Sequence, residues 1–297
     1  MGRSKSGFIG IVGRPNVGKS SLLNAIMGEK IAITTHKPQT TRNRIKGIKN
    51  TAGGQFIFLD TPGIHRARNP MNRAMVMAAV DTLSDVDIIL FLVECGSPLN
   101  DDDRLTIGSF KELTIPVMLI INKIDLVTKE ELLGLIDRLR HLHDFEEVIP
   151  LSALKGFNVD TLLNVIGRHL PEGPPFFPPD MITDATERFL AAEMIREKIT
   201  LLTHQEVPYA TVVIVDSFKD DEKKNLIGIQ ATIHVEKHSQ KGIIIGRGGT
   251  MLKRIGTQAR IDMERFFNSR VFLELFVRVS KDWTRDSRFL DEMGYRQ

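Results

Sequence analysis

Residues 13–20 read GRPNVGKS, directly after the apolar run Phe8–Val12 and directly before the helical period Ser20–Met27. A G-x-x-x-x-G-K-S spacing in that setting admits few folds, because the loop must turn a strand into a helix while its backbone N–H groups converge. Such a cradle fits a phosphate, and the helix N-terminus adds partial positive charge. Gly13, Arg14, Pro15, Asn16, Val17 and Gly18 would line it. Lys19 would reach the outer phosphates, and Ser20, with Ser21 behind it, would offer a hydroxyl to magnesium. A glycine-rich turn without a ligand is the alternative; a strand and a helix in register with the loop argue against it.

The pattern around this loop sets the fold class. Phe8–Val12, Phe56–Leu59, Ile88–Val93, Val117–Ile121 and Val148–Pro150 read as strands. Helical periods alternate with them at Ser20–Met27, Pro70–Leu83, Asp102–Leu113, Lys129–Leu142 and Val159–His169. Continuous apolar strands between helices predict an α/β domain with a mostly parallel sheet covered on both faces, to which Ile45–Ile48 would add one antiparallel edge strand. Residues 171–180, PEGPPFFPPD, hold five prolines in ten positions, which excludes a helix or a central strand and predicts a stiff linker. Beyond it the order is helix Thr186–Thr203, strands Ala210–Ser217 and Leu226–Glu236, helices Ser239–Ile245 and Thr250–Phe267, and strand Val271–Val279, a compact α+β module. The division expected is therefore 1–170, linker 171–180 and 181–297. The 297 residues suffice for two cores at 42% apolar content. The lone Cys95 forbids an internal disulfide and reads as a small buried residue in a reducing interior. No apolar stretch reaches the ~20 residues of a membrane span, so a cytoplasmic protein is expected.

Three further elements select the nucleotide. Asp60–Gly63, DTPG, closes the strand Phe56–Leu59: Asp60 can hold magnesium through water, Gly63 can present its N–H to a terminal phosphate, and Thr61 and Pro62 between them are expected among the nucleotide contacts. Asn122–Asp125, NKID, follows the run Val117–Ile121. A carboxylate at Asp125 can accept from N1–H and the exocyclic amine of guanine, whereas adenine would leave it without partners. Lys123 would lie along the base and Asn122 would tie this loop to the phosphate loop. In Ser152-Ala153-Leu154 the Ala153 N–H can meet guanine O6. The nucleotide expected is GTP, and GDP after hydrolysis.

These four elements in this order resemble the translation-factor-related class of GTPases, and GRPNVGKS, QTTRN and DTPG together resemble its Era-like branch. The resemblance makes Lys37–Asn43 a first switch, in which Thr41, favoured over Thr40, would complete a magnesium shell with Ser20 and Asp60. Gly63 is followed by Ile64, where Ras-like enzymes place a water-orienting glutamine. Ile64 has no hydrogen-bonding group, and a lone loop histidine such as His65 is more often a bystander than a base. Resemblance to potassium-activated members implies that Asn16 can ligate K+ beside the phosphates, where positive charge would oppose charge developing in the transition state; Asn16 stabilising the loop is the alternative. The hydrolytic set is then Asn16, Lys19, Thr41 and Gly63.

In the C-terminal half, GIIIGRGG at 242–249 contains Gly246–Gly249, a GxxG loop between an apolar helix and an amphipathic one. Little side chain there lets a nucleic-acid backbone come close, with four nucleotides clamped. Between Lys237 and Arg270 lie Lys241, Arg247, Lys253, Arg254, Arg260 and Arg265 against only Asp262 and Glu264, in a chain of formal net charge +3. The expected contacts are Lys241, Gly242, Ile245, Gly246, Arg247, Gly248, Gly249, Lys253 and Arg254. Ile243, Ile244, Ile245 and Ile255 line either the groove or the core. With few aromatics nearby, base stacking should be minor. The strand-before-GxxG order resembles the type II KH topology. From the phosphate loop to the tail SKDWTRDSRFLDEMGY at 280–295, the chain resembles the Era family of bacterial ribosome-assembly GTPases. That resemblance implies a single-stranded partner, the 3′ end of small-subunit ribosomal RNA, action on the 30S subunit and peripheral contact with the inner membrane; a monomer is expected.

Overall fold

The structure, a computed structural model, describes residues 4–37, 45–61, 85–281 and 283, with Glu112 described by its backbone alone. The expected helix Pro70–Leu83 lies outside the described residues, as do Thr41, Pro62, Gly63, Ile64 and His65. Contacts divide the described chain into two units, 4–32 with 45–184, and 33–37 with 185–283.

The first unit is built on β1 (Lys5–Val12), whose apolar run is buried on both faces. Around it lies a six-stranded sheet in the order β2-β3-β1-β4-β5-β6, with β2 at Ile45–Thr51, β3 at Gly54–Asp60, β4 at Ile88–Glu94, β5 at Val117–Asn122 and β6 at Glu147–Pro150. All neighbours are parallel except β2, which pairs antiparallel with β3. Strands β4 and β5 are buried almost throughout, as a sheet sandwiched by helices requires. Helix α1 (Lys19–Met27) follows the phosphate loop. Helices α2 (Asp101–Ser109) and α3 (Lys129–Leu139) each begin with a capping box, Asn100 with Asp103 and Thr128 with Glu131. Helix α4 (Val159–His169) completes the described set in this unit. The α2 period ends earlier than its pattern predicts: Phe110 turns inward to 1% exposure and the chain continues as a short 3-10 turn.

The proline-rich segment packs on this unit as far as Asp184. Gln55, 1% exposed, accepts from the Phe176 and Phe177 N–H groups at 2.8 and 2.9 Å and donates to Phe177 O at 2.9 Å. Asn50 donates to Pro179 O, the Ile48 N–H to Ile182 O, and Lys46 pairs with Asp184 at 2.6 Å. The edge strand β2 is thereby partly covered.

The second unit has helix α5 (Glu187–Leu202), then β7 (Thr211–Asp221), β8 (Leu226–Val235), α6 (His238–Ile245), α7 (Thr250–Phe267) and β9 (Arg270–Val279). Strand β8 pairs antiparallel with β7 and parallel with β9, giving the order β7-β8-β9. Ile227, Ile229, Ala231, Ile233 and Val235 of β8 meet Ile195 and Ile199 of α5 and Ile255, Ala259 and Met263 of α7 in one core. A ladder of charge joins α5 to α7: Lys198 bonds Glu197 and Asp262. Residues 33–37 complete this unit. The Thr34 N–H donates to Glu197 Oε1 at 3.0 Å, and the Lys37 ammonium donates to Thr200 O and Thr203 O at the C-terminal end of α5.

Candidate nucleotide site and nucleic-acid groove

The phosphate loop joins β1 to α1 through three positions with positive φ. Gly13 (φ +146) passes so close to β4 that a Cβ would stand 2.5 Å from Leu92 O, and at Gly18 (φ +102) one would stand 2.2 Å from Asn122 Nδ2. Asn16, exposed, takes φ +68, a conformation that asparagine tolerates better than most residues. Lys19 is buried and donates to Gly13 O at 2.8 Å and Arg14 O at 3.0 Å, the two carbonyls that open the loop. Burial pushes its ammonium down to about 8, with Asp60 pulling the other way. Pro15 is half-buried, Val17 fully buried, and Ser21 sits half-buried in the first turn of α1. The Ser20 hydroxyl lies 2.6 Å from Asp60 Oδ2 at the end of β3. A hydroxyl and a buried carboxylate brought together beside the cradle are hard oxygen donors that fit magnesium. Thr61 points elsewhere. Its hydroxyl donates to Ile11 O at 2.8 Å and fastens β3 to β1.

Asn122 is the knot of the site. Its Nδ2 donates to Val17 O at 2.8 Å, and its Oδ1 accepts from the N–H groups of Lys123 at 2.8 Å and Ala153 at 3.0 Å. One amide therefore joins the phosphate loop, the NKID loop and the Ser152–Leu154 loop. A guanine O6 would share the Ala153 N–H with this bond. Asp125 is exposed, and its Oδ1 accepts from the Ser152 hydroxyl at 2.5 Å, which orients the carboxylate. Leu154 is 81% exposed beside it.

Sequence reasoning missed two acids. Glu94, at the end of β4, accepts from Arg14 at 2.8 Å and bonds Lys123, whose ammonium also reaches Asn16 O at 2.8 Å. Burial works to raise the Glu94 carboxyl, but Lys123 and Arg14 outweigh it and hold it below the usual range. Arg14 also reaches Asp103 at 3.2 Å, so its side chain serves α2 and β4, leaving its backbone for the cradle. An acid ending an apolar strand opposite the loop was the available signal. Cys95 is buried, and burial followed by Asp125 and Glu94 raises its thiol to about 11.

In the second unit the GxxG loop lies between α6 and α7. Gly246, Gly248 and Gly249 take φ of +70, +59 and +79, and a Cβ on Gly246 would stand 2.7 Å from Met251 Cβ. The Thr250 hydroxyl donates to Arg247 O at 2.9 Å, and Arg247 itself is exposed. From Gly249 a groove of about 380 Å3 runs between Leu252, Lys253, Gly256, Thr257 and Arg260 of α7 and Leu273 and Leu275 of β9. Ile244 and Ile255 are fully buried in the core, Ile243 is 44% exposed and Ile245 is half-buried. Gly242 and Arg254 are exposed and Lys241 half-buried around the loop. Phe272 and Phe276, 57% and 54% exposed, alternate with Leu273 and Leu275 and so face away from the groove.

A family model described as a 50S ribosome-binding GTPase matches residues 8–123, and a KH domain model matches residues 206–284. GTPase Era of Syntrophus aciditrophicus is 62% identical, covering 99% of this chain and 96% of its own length. The chain belongs to the GTPase Era family. GTPase Era of Geobacter metallireducens is 53% identical over 98% of both chains. A solved Aquifex aeolicus Era variant bound to GDP.AlF4- and a solved Era in complex with MgGDPNP and nucleotides 1506–1542 of 16S ribosomal RNA each match with a TM-score of 0.95 at 41% identity, covering 99% of this chain and 100% of theirs. The protein is accordingly a GTPase with a C-terminal KH domain. Among the described residues no helix is long and apolar enough to cross a membrane.

Proposed function

We propose that this GTPase is a nucleotide-gated clamp for single-stranded RNA at the 3′ end of small-subunit ribosomal RNA, acting in 30S subunit assembly. One observation carries the reading: on one chain, Asn122 ties the phosphate loop to the NKID and Ser152–Leu154 loops, and a GxxG groove has a basic rim. A relative of the same length holds a GTP analogue, magnesium and a 16S fragment together, which supports it. The division of labour is 1–170 for nucleotide, 171–180 as linker and 181–297 for RNA, with 33–37 packed into the RNA-binding unit and 181–184 into the nucleotide unit. Guanine rests against Asp125 and Lys123, and the phosphates rest on the backbone of 13–21 with Lys19 against their outer oxygens. Magnesium, when bound, supplies Lewis-acid charge; Ser20, Asp60 and Thr41 would hold it. The Gly63 N–H would report the terminal phosphate, and Thr61 and Pro62 would set its distance. Lys241, Gly242, Ile245, Gly246, Arg247, Gly248, Gly249, Lys253 and Arg254 would grip the RNA.

Binding of the 1506–1542 fragment is expected to be tighter with a GTP analogue than with GDP, and Gly248→Asp is expected to abolish it. Equal affinity in both nucleotide states would remove the gating, by the reciprocity of linked binding. K+ is proposed to sit at Asn16, supported by the exposure of that residue in the loop. Turnover should then be faster in potassium than in sodium, and equal rates would dismiss the cation. A cytoplasmic monomer with no more than peripheral membrane contact completes the proposal, and fractionation with sedimentation tests it.

A further inference from the structure

The glycines around the RNA groove are of two kinds. Gly246, Gly248 and Gly249 take positive φ, and Gly246 also has no room for a Cβ, so the backbone itself demands them. Gly256 is different. It lies in the interior of α7 with ordinary helical geometry, and beyond its own helix a Cβ would touch only Leu275 Cδ1, at 3.4 Å, an ordinary contact. The fold would accept alanine there, and alanine is the better helix former. Yet this position lines the groove, about 10 Å along the helix from Gly249.

We propose that Gly256 is a specificity-determining residue that keeps open a slot in the groove floor for the edge of one unstacked base. The inference rests on the RNA reading above. The slot has apolar walls, Leu252 on α7 and Leu273 and Leu275 on β9, which suit the flat face of a base and not a phosphate. Lys253 and Arg260, the latter paired with Glu264 at 2.8 Å, line the same groove and bring positive charge to it. A methyl at 256 would stand on the groove lining against Leu275 Cδ1 and narrow this space at that point.

The test uses full-length protein with a GTP analogue and a synthetic RNA of nucleotides 1506–1542. Gly256→Ala should melt higher than wild type while its RNA affinity falls by about fivefold or more, the scale of one base contact. Gly134→Ala in α3, where a Cβ would meet only Arg138 Nη1 at 3.8 Å, should also melt higher and bind RNA as wild type does. In a series of single-abasic probes, one position should weaken wild type and leave Gly256→Ala unchanged. Gly256→Ala with wild-type affinity overturns the proposal, as does a variant that melts lower or loses affinity evenly across all abasic probes. If wild type ignores the intact probe, the RNA reading falls first; if wild type binds it and Gly248→Asp does not, that reading stands and only the slot is at stake.

Discussion

Lys19 holds a charge in a place built for a charged partner. Its ordinary value of 10.5 has fallen to about 8 through burial, against the pull of Asp60. Between those two values the unfolded chain holds the extra proton, so the nucleotide-free protein should gain stability as pH rises from about 8 towards 10.5. Phosphate reverses the balance by favouring the ammonium, so the bound form titrates higher. GDP binding at pH 8.5 is therefore expected to take up protons, with affinity falling as pH rises further; calorimetry in buffers of different ionisation enthalpy reads this, and zero uptake would refute it. Lys19, Ser20, Asp60, Asn122 and Asp125 were legible because each belongs to a short run whose spacing states its chemistry. Glu94 and Asp103 were not. Their roles depend on Arg14 and Lys123, which lie 80 and 29 residues from Glu94 in sequence, and no local pattern marks such a meeting.

At the scale of elements, strand and helix order followed from apolar periodicity, and the six-stranded sheet needed only alternation and one short edge strand. Element ends were harder to read, as Phe110 shows: its inward turn is decided by the core beneath it. The proline-rich segment was legible as extended, but its docking was not, because Gln55 is 121 or more residues away from the groups it binds. Gln55→Ala would leave the part-buried Phe176 and Phe177 N–H groups without that acceptor, a loss of about 1 kcal/mol per bond. We expect a lower melting temperature and faster proteolysis within 171–184, with GDP affinity unchanged. Cleavage as slow as in wild type would mean that proline stiffness alone holds the segment.

For the molecule as a whole, the small net charge conceals an uneven distribution. Lys241, Arg247, Lys253, Arg254 and Arg260 cluster on α6, the GxxG loop and α7. RNA affinity should fall with salt at a log–log slope of about −3, and Arg247→Ala should lessen that slope by about 0.7. A slope near zero would dismiss phosphate contacts as the source of affinity. This charge pattern was visible in the sequence, whereas the groove wall of Leu273 and Leu275 appeared only once β9 was paired beside α7.

The RNA-binding half is also not one uninterrupted piece of polypeptide. Thr34 and Lys37, encoded some 150 residues upstream of α5, supply bonds to Glu197 and to the last carbonyls of that helix. A gene fragment starting at residue 185 would therefore omit part of its own scaffold, and dissection of this protein at the prolines would yield a domain missing one of its edges.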